Sequence, residues 1–78
     1  MKNLRISIAR LALIMNFITE AKNTKQIIAF LKEQNFQTSD YIQSRYRDVL
    51  TFFYDEEEKT YQFNKNAYAA MKKEFDMK

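Results

Sequence analysis

Seventy-eight residues, 46% hydrophobic and 15% aromatic, suffice for one small domain over 1–78 and are too apolar for a disordered tail. The chain has no Cys, His, Gly or Pro, which excludes disulfides, thiol chemistry, cysteine- or histidine-based metal sites and glycine-dependent phosphate loops. Its formal charge of +3 is mild, so the placement of charge matters more than its total.

The first helix is expected over about 4–20. Leu4, Ile8, Leu11, Met15 and Ile18 alternate by four and three residues, the spacing of one apolar stripe. Ile6, Leu13, Ile14 and Phe17 lie beside and behind it, so more than half the girth is apolar. Such a helix is either buried deep in the domain or is the seam of a homodimer. Lys2 and Arg5 followed by apolar residues imitate a signal peptide, but Arg10 and Asn16 interrupt the run and no small-residue cleavage site follows. The longest apolar run, 11–15, falls far short of a membrane span, and a cytoplasmic protein is expected.

The second helix is expected to open at Asn23 or Thr24, with Gln26 placed to reciprocate in a capping box. Ile27, Ile28, Phe30 and Leu31 form its inner face. Asn35 suits the left-handed position after a helix that has no Gly to use, and Phe36 then folds back as an anchor. The third helix is expected over 38–53, capped by Thr38 or Ser39 with Asp40 in its first turn. Ile42, Tyr46, Val49 and Phe53 share one face with Leu50 at its edge, and Asp40, Ser44, Arg47 and Thr51 point the opposite way. Phe52-Phe53-Tyr54 and Thr60-Tyr61-Gln62-Phe63 favour strands around an acidic tip, Asp55 to Glu58. Asn64 caps a last helix with Tyr68, Met71 and Phe75 inside and Lys72 and Lys73 outside.

Charge is uneven along this order. Residues 1–34 carry six basic and two acidic residues, a net +4. Residues 35–63 carry three basic and six acidic, a net −3, and residues 64–78 carry four basic and two acidic, a net +2.

Thr24-Lys25-Gln26-Ile27-Ile28, then Ser44-Arg45-Tyr46-Arg47-Asp48-Val49-Leu50, then Tyr54-Asp55 with Lys59-Thr60-Tyr61-Gln62-Phe63, resemble the winged helix-turn-helix domain of bacterial DeoR-type and WYL-associated regulators. One departure is Arg45, where such domains usually carry an apolar residue. The resemblance spans about 4–64. It implies a mainly α fold with a small β-hairpin, of about four helices and a two- or three-stranded wing. It also implies a stand-alone transcriptional regulator of phage or bacterial kind, binding double-stranded DNA with the helix at 38–53 in the major groove.

On that reading Gln43, Ser44 and Arg47 read bases, flanked by Tyr41, while Ser39, Arg45, Lys25 and Arg5 contact phosphates. Lys2 and Lys22 are further phosphate-facing candidates, and Asp48 is structural, paired with an Arg. A homodimer is expected through helix 4–20, with a contribution from the last helix. The acidic wing conflicts with phosphate contact. In the alternative reading, a protein-interaction module, Asp55, Glu56, Glu57 and Glu58 meet a basic host protein with Tyr41 or Tyr54. No cofactor, metal or catalytic site is expected, because no nucleophile stands at the spacing of a base and consecutive carboxylates at a turn diverge.

Overall fold

Asn23 and Gln26 settle where the second helix begins. The Asn23 side chain accepts from the Gln26 amide and the Gln26 side chain accepts from the Asn23 amide, both at 2.8 Å. This is the reciprocal box expected from the sequence, and it leaves two fewer orphan donors at the helix start. The computed structural model describes residues 3–36 and 40–75. Among them the order is α1 (Ile8–Phe17), β1 (Lys22–Asn23), α2 (Thr24–Glu33), α3 (Ser44–Leu50), a 3₁₀ turn (Thr51–Phe53), β2 (Tyr54–Asp55), β3 (Thr60–Tyr61) and α4 (Lys65–Glu74). The fold is mainly helical with a small three-stranded antiparallel sheet.

α1 is shorter than the helix expected over 4–20. Ser7 is extended and its hydroxyl accepts from the Arg10 amide, so the helix starts after it. Leu4 therefore precedes the helix, and Ile8 in the first turn is 63% exposed instead of joining the core stripe. The buried line is Leu11, Ile14, Met15 and Ile18, with Ile6 reaching the core from the segment before the helix.

α2 ends as its sequence predicts. Asn35 has φ 61°, the left-handed conformation that Asn tolerates better than most residues. The Asn35 amide donates to Lys32 and the Phe36 amide to Leu31, at 3.0 and 2.7 Å. This paired pattern closes the helix and turns Phe36 back onto it.

The third helix differs most from expectation. The Thr38 or Ser39 cap lies outside the described residues, and so does Ser39 as a phosphate contact. Asp40, Tyr41 and Ile42 are not helical, and α3 begins only at Ser44. Gln43 is extended at the cap position but gives no side-chain cap, and its side-chain amide oxygen accepts from Arg45 instead. The inner face is as expected, with Ile42, Tyr46, Val49, Leu50 and Phe53 buried and Asp40, Ser44, Arg47 and Thr51 exposed.

Phe52 and Phe53 were expected in a strand but form the 3₁₀ turn. Their aromatic contacts explain this. Phe53 stacks on Phe63, and Phe52 meets Phe75 edge-on, which ties the turn to the start and end of α4. The sheet order is β1-β3-β2, with Lys22 opposite Tyr61 and Tyr54 also opposite Tyr61. β1 has no counterpart in the sequence expectations. Asn64 caps α4 by accepting from the Ala67 amide, and Met71 and Phe75 are buried beneath it. Full burial of side chains such as Leu11, Leu31 and Leu50 supplies roughly 1.5–3 kcal/mol each in area terms.

Candidate functional site

The exposed face of α3 is set by its inner face. Tyr46, Val49 and Leu50 turn inward, which leaves Ser44 and Arg47 outward, with Asp48 half-buried at the side. The helix is held from outside by Arg5, whose guanidinium donates to the Asp48 carboxylate at 2.7 Å and to the Ser44 hydroxyl at 3.2 Å. Asp48 thus has the Arg partner foreseen for it. Its partner comes from the segment before α1 and not from α3 itself.

Arg45 lies back against its own turn. Its Nε and Nη2 donate to the Gln43 side-chain oxygen at 3.1 and 2.9 Å, and its guanidinium sits over the Tyr46 ring at 5.3 Å. Gln43 and Arg45 therefore satisfy one another. Arg47 is different. It is exposed, and its side chain has no hydrogen bond or ion pair among the described residues. Lys25, in the first turn of α2, is exposed and equally free. Tyr41 is 66% exposed, just before α3.

Lys32 and Asp40 form an exposed ion pair that ties the end of α2 to the segment leading into α3. The Lys32 hydrogen bond, and then its charge, hold the Asp40 carboxyl below the usual aspartate range.

The acidic hairpin tip is built from its first residue. The Asp55 carboxylate accepts from the Glu57 and Glu58 amides at 2.9 and 3.2 Å, and Lys59 closes the turn with φ 58°. Glu56, Glu57 and Glu58 are exposed, and none has an ion pair among the described residues. An open groove of about 700 Å³ is lined by Asp55, Glu56 and Glu57 of this tip together with Phe52, Phe63 and Asn64.

The sequence-predicted DNA residues thus fall into separate sets. Ser44, Arg5 and Asp48 form one hydrogen-bonded group, Gln43 and Arg45 a second, and Arg47 and Lys25 have no side-chain partner among the described residues. Sequence reasoning missed the Arg10 cluster behind α3. Arg10 donates to the Tyr46 hydroxyl at 3.1 Å and lies 4.7 Å from the Phe36 ring centroid. The one available signal was a cation inside an apolar helix, which needs a partner when half-buried. No helix among the described residues is long and apolar enough to cross a membrane.

Compared with known protein families, curated proteins and solved structures, the chain matches none.

Proposed function

We propose that the chain is a winged helix DNA-binding domain acting in transcriptional regulation in the cytoplasm, with α3 in the major groove of double-stranded DNA. The order of elements supports this, with two helices, a left-handed turn, a third helix and then a hairpin whose sheet is completed by β1. The observation that carries the reading is Arg47. A planar cation with no side-chain partner among the described residues projects from the outer face of the helix that precedes the hairpin, where it suits a guanine edge or a phosphate.

The short α3 narrows the reading set to Ser44 and Arg47 on the helix, with Gln43 at its N-terminal end. Lys25 serves the phosphate backbone. Arg5 is available too. Its pair with Asp48 is between side chains that are 52% and 40% exposed, and such pairs hold by only about 0–1 kcal/mol. Arg5 can therefore exchange Asp48 for a phosphate. The wing tip stays off the DNA, since Glu56 to Glu58 would be repelled by phosphates. The reading also takes the chain as a dimer, which would present two copies of α3 to a two-fold site.

The test is fluorescence anisotropy with duplex DNA at low salt. Arg47→Ala weakens binding, while Glu56→Gln with Glu57→Gln leaves it unchanged or tightens it. Absence of a complex with any duplex rules out the reading.

A second reading is favoured by one observation, the exposed carboxylates of Glu56 and Glu57, which have no ion pair among the described residues, at a groove that Phe52 and Phe63 also line. In it the same fold serves as an adaptor or inhibitor that meets a basic protein surface. A complex with a host protein that survives nuclease treatment and is lost on the same Glu→Gln changes selects it.

A further inference from the structure

α1 carries a surface that the domain itself leaves uncovered. Its exposed residues are Ile8, Ala9, Ala12, Leu13 and Asn16, and none is charged. Ile8 and Leu13 are 63% and 45% exposed. The helix's one cation, Arg10, is turned aside onto Phe36 and Tyr46. Beside this face lies an apolar groove of about 310 Å³ lined by Ile8, Leu11, Ala12, Met15, Phe63 and Tyr68.

The arrangement of large and small residues says what covers it. Residues four apart on a helix lie one turn apart on the same flank. Ile8 and Ala12 therefore share one flank of the exposed face, and Ala9 and Leu13 share the other. In an antiparallel pair of helices related by a two-fold axis, each flank meets its own copy in reverse order. Ile8 then lies over Ala12 of the second copy, and Leu13 over Ala9, so each of these two flank contacts sets a large side chain on a small one. The groove sits on the Ile8–Ala12 flank, so the knob and the hole it would fill belong to the same flank of the same helix. A neutral face also lets two chains of charge +3 approach without opposed cations.

We propose that the chain forms a two-fold homodimer through antiparallel α1–α1 packing, with Ile8 of each copy seated in the groove at Ala12 of the other. This rests on the dimeric reading above and is independent of whether DNA is bound.

The test uses the chain's lack of cysteine. The double variant Ile8→Cys with Ala12→Cys is oxidised mildly, beside both single variants and Ala70→Cys on the exposed side of α4. The double variant is expected to give a covalent dimer faster than the three controls. Sedimentation of the unmodified chain and of Ala12→Glu across a concentration series accompanies it. A carboxylate pressed against Ile8 should raise the dimer dissociation constant by about tenfold or more. All these positions are exposed, and circular dichroism checks that each variant keeps its helices. A chain that stays monomeric throughout overturns both this proposal and the dimeric reading. A dimer that Ala12→Glu leaves intact, or that the cysteine pair does not trap, overturns this face alone. Duplex binding measured on the same samples reports separately on the DNA reading.

Discussion

Arg10 and Tyr46 are joined at 3.1 Å, guanidinium to hydroxyl, and through them α1 holds both α3 and the turn that precedes it. Tyr46 is fully buried, and its hydroxyl passes the connection on by donating to the Phe36 carbonyl at 2.7 Å. Phe36 in turn stacks on Tyr46 and lies under Arg10. One ring thus fixes the position of α3 relative to the end of α2. Tyr46→Phe keeps the ring and removes the hydroxyl, leaving the Phe36 carbonyl without its partner. The expected loss is about 1–2 kcal/mol in urea unfolding, with the slope unchanged. A loss below a few tenths would mean that water replaces the hydroxyl without cost.

The capping box makes a second prediction. Asn23→Ala removes the acceptor for the Gln26 amide and should destabilise the domain by about 0.5–2 kcal/mol. Gln26→Ala removes only the reciprocal bond to the Asn23 amide and should cost less. Thermal unfolding of the two variants gives the order, and the reverse order would contradict the roles assigned here.

Asn35 is held at φ 61°, which penalises any residue with a branched Cβ. Asn35→Gly should be neutral or stabilising, because Gly reaches this conformation without strain. Asn35→Val should lose about 1–2 kcal/mol in chemical unfolding. Equal stability of the two variants would show that the turn rearranges.

The Lys32–Asp40 pair sets a pH dependence. Asp40 titrates below the ordinary aspartate range because Lys32 bonds and attracts its charged form. A lowered folded-state value means that the pair stabilises the fold above the ordinary aspartate pKa of about 3.9. That contribution is lost as pH falls through the lower folded value. Both groups are exposed, so the effect on stability is small. Carboxyl-carbon NMR should find Asp40 titrating low in the native chain and returning to the ordinary range in Lys32→Met. An ordinary value in the native chain contradicts the pair.

The parts of this fold that were legible in the sequence are those fixed by near neighbours. The Asn23–Gln26 box, the left-handed Asn35, the Asn64 cap and the inward face of α3 each follow from residues a few positions apart. What could not be read depends on distant partners. β1 is two residues long and exists only because Tyr61 and Thr60 pair with it. That Asp48 needed an Arg was readable, but not that Arg5 would supply it from before α1. The start of α3 was misplaced because Ser39 and Asp40 look like helix openers, whereas the helix begins at Gln43–Ser44 with no side-chain cap to signal it. The candidate site was legible as a list and not as an arrangement. Whether Arg45, Arg5 or Arg47 has a free guanidinium is decided by where Gln43 and Asp48 sit.

On the proposed function α3 meets DNA through Arg47. The most direct measurement is duplex affinity as a function of salt for the native chain and for Arg47→Ala. The native chain should bind at low salt with log affinity falling linearly against log salt. Arg47→Ala should bind about tenfold more weakly or worse. If Arg47 holds a phosphate, the slope also falls by about one; if it reads a base, the slope holds and discrimination between sequences falls. Equal affinity and equal slope for the two proteins, or no complex with any duplex at low salt, would contradict the account.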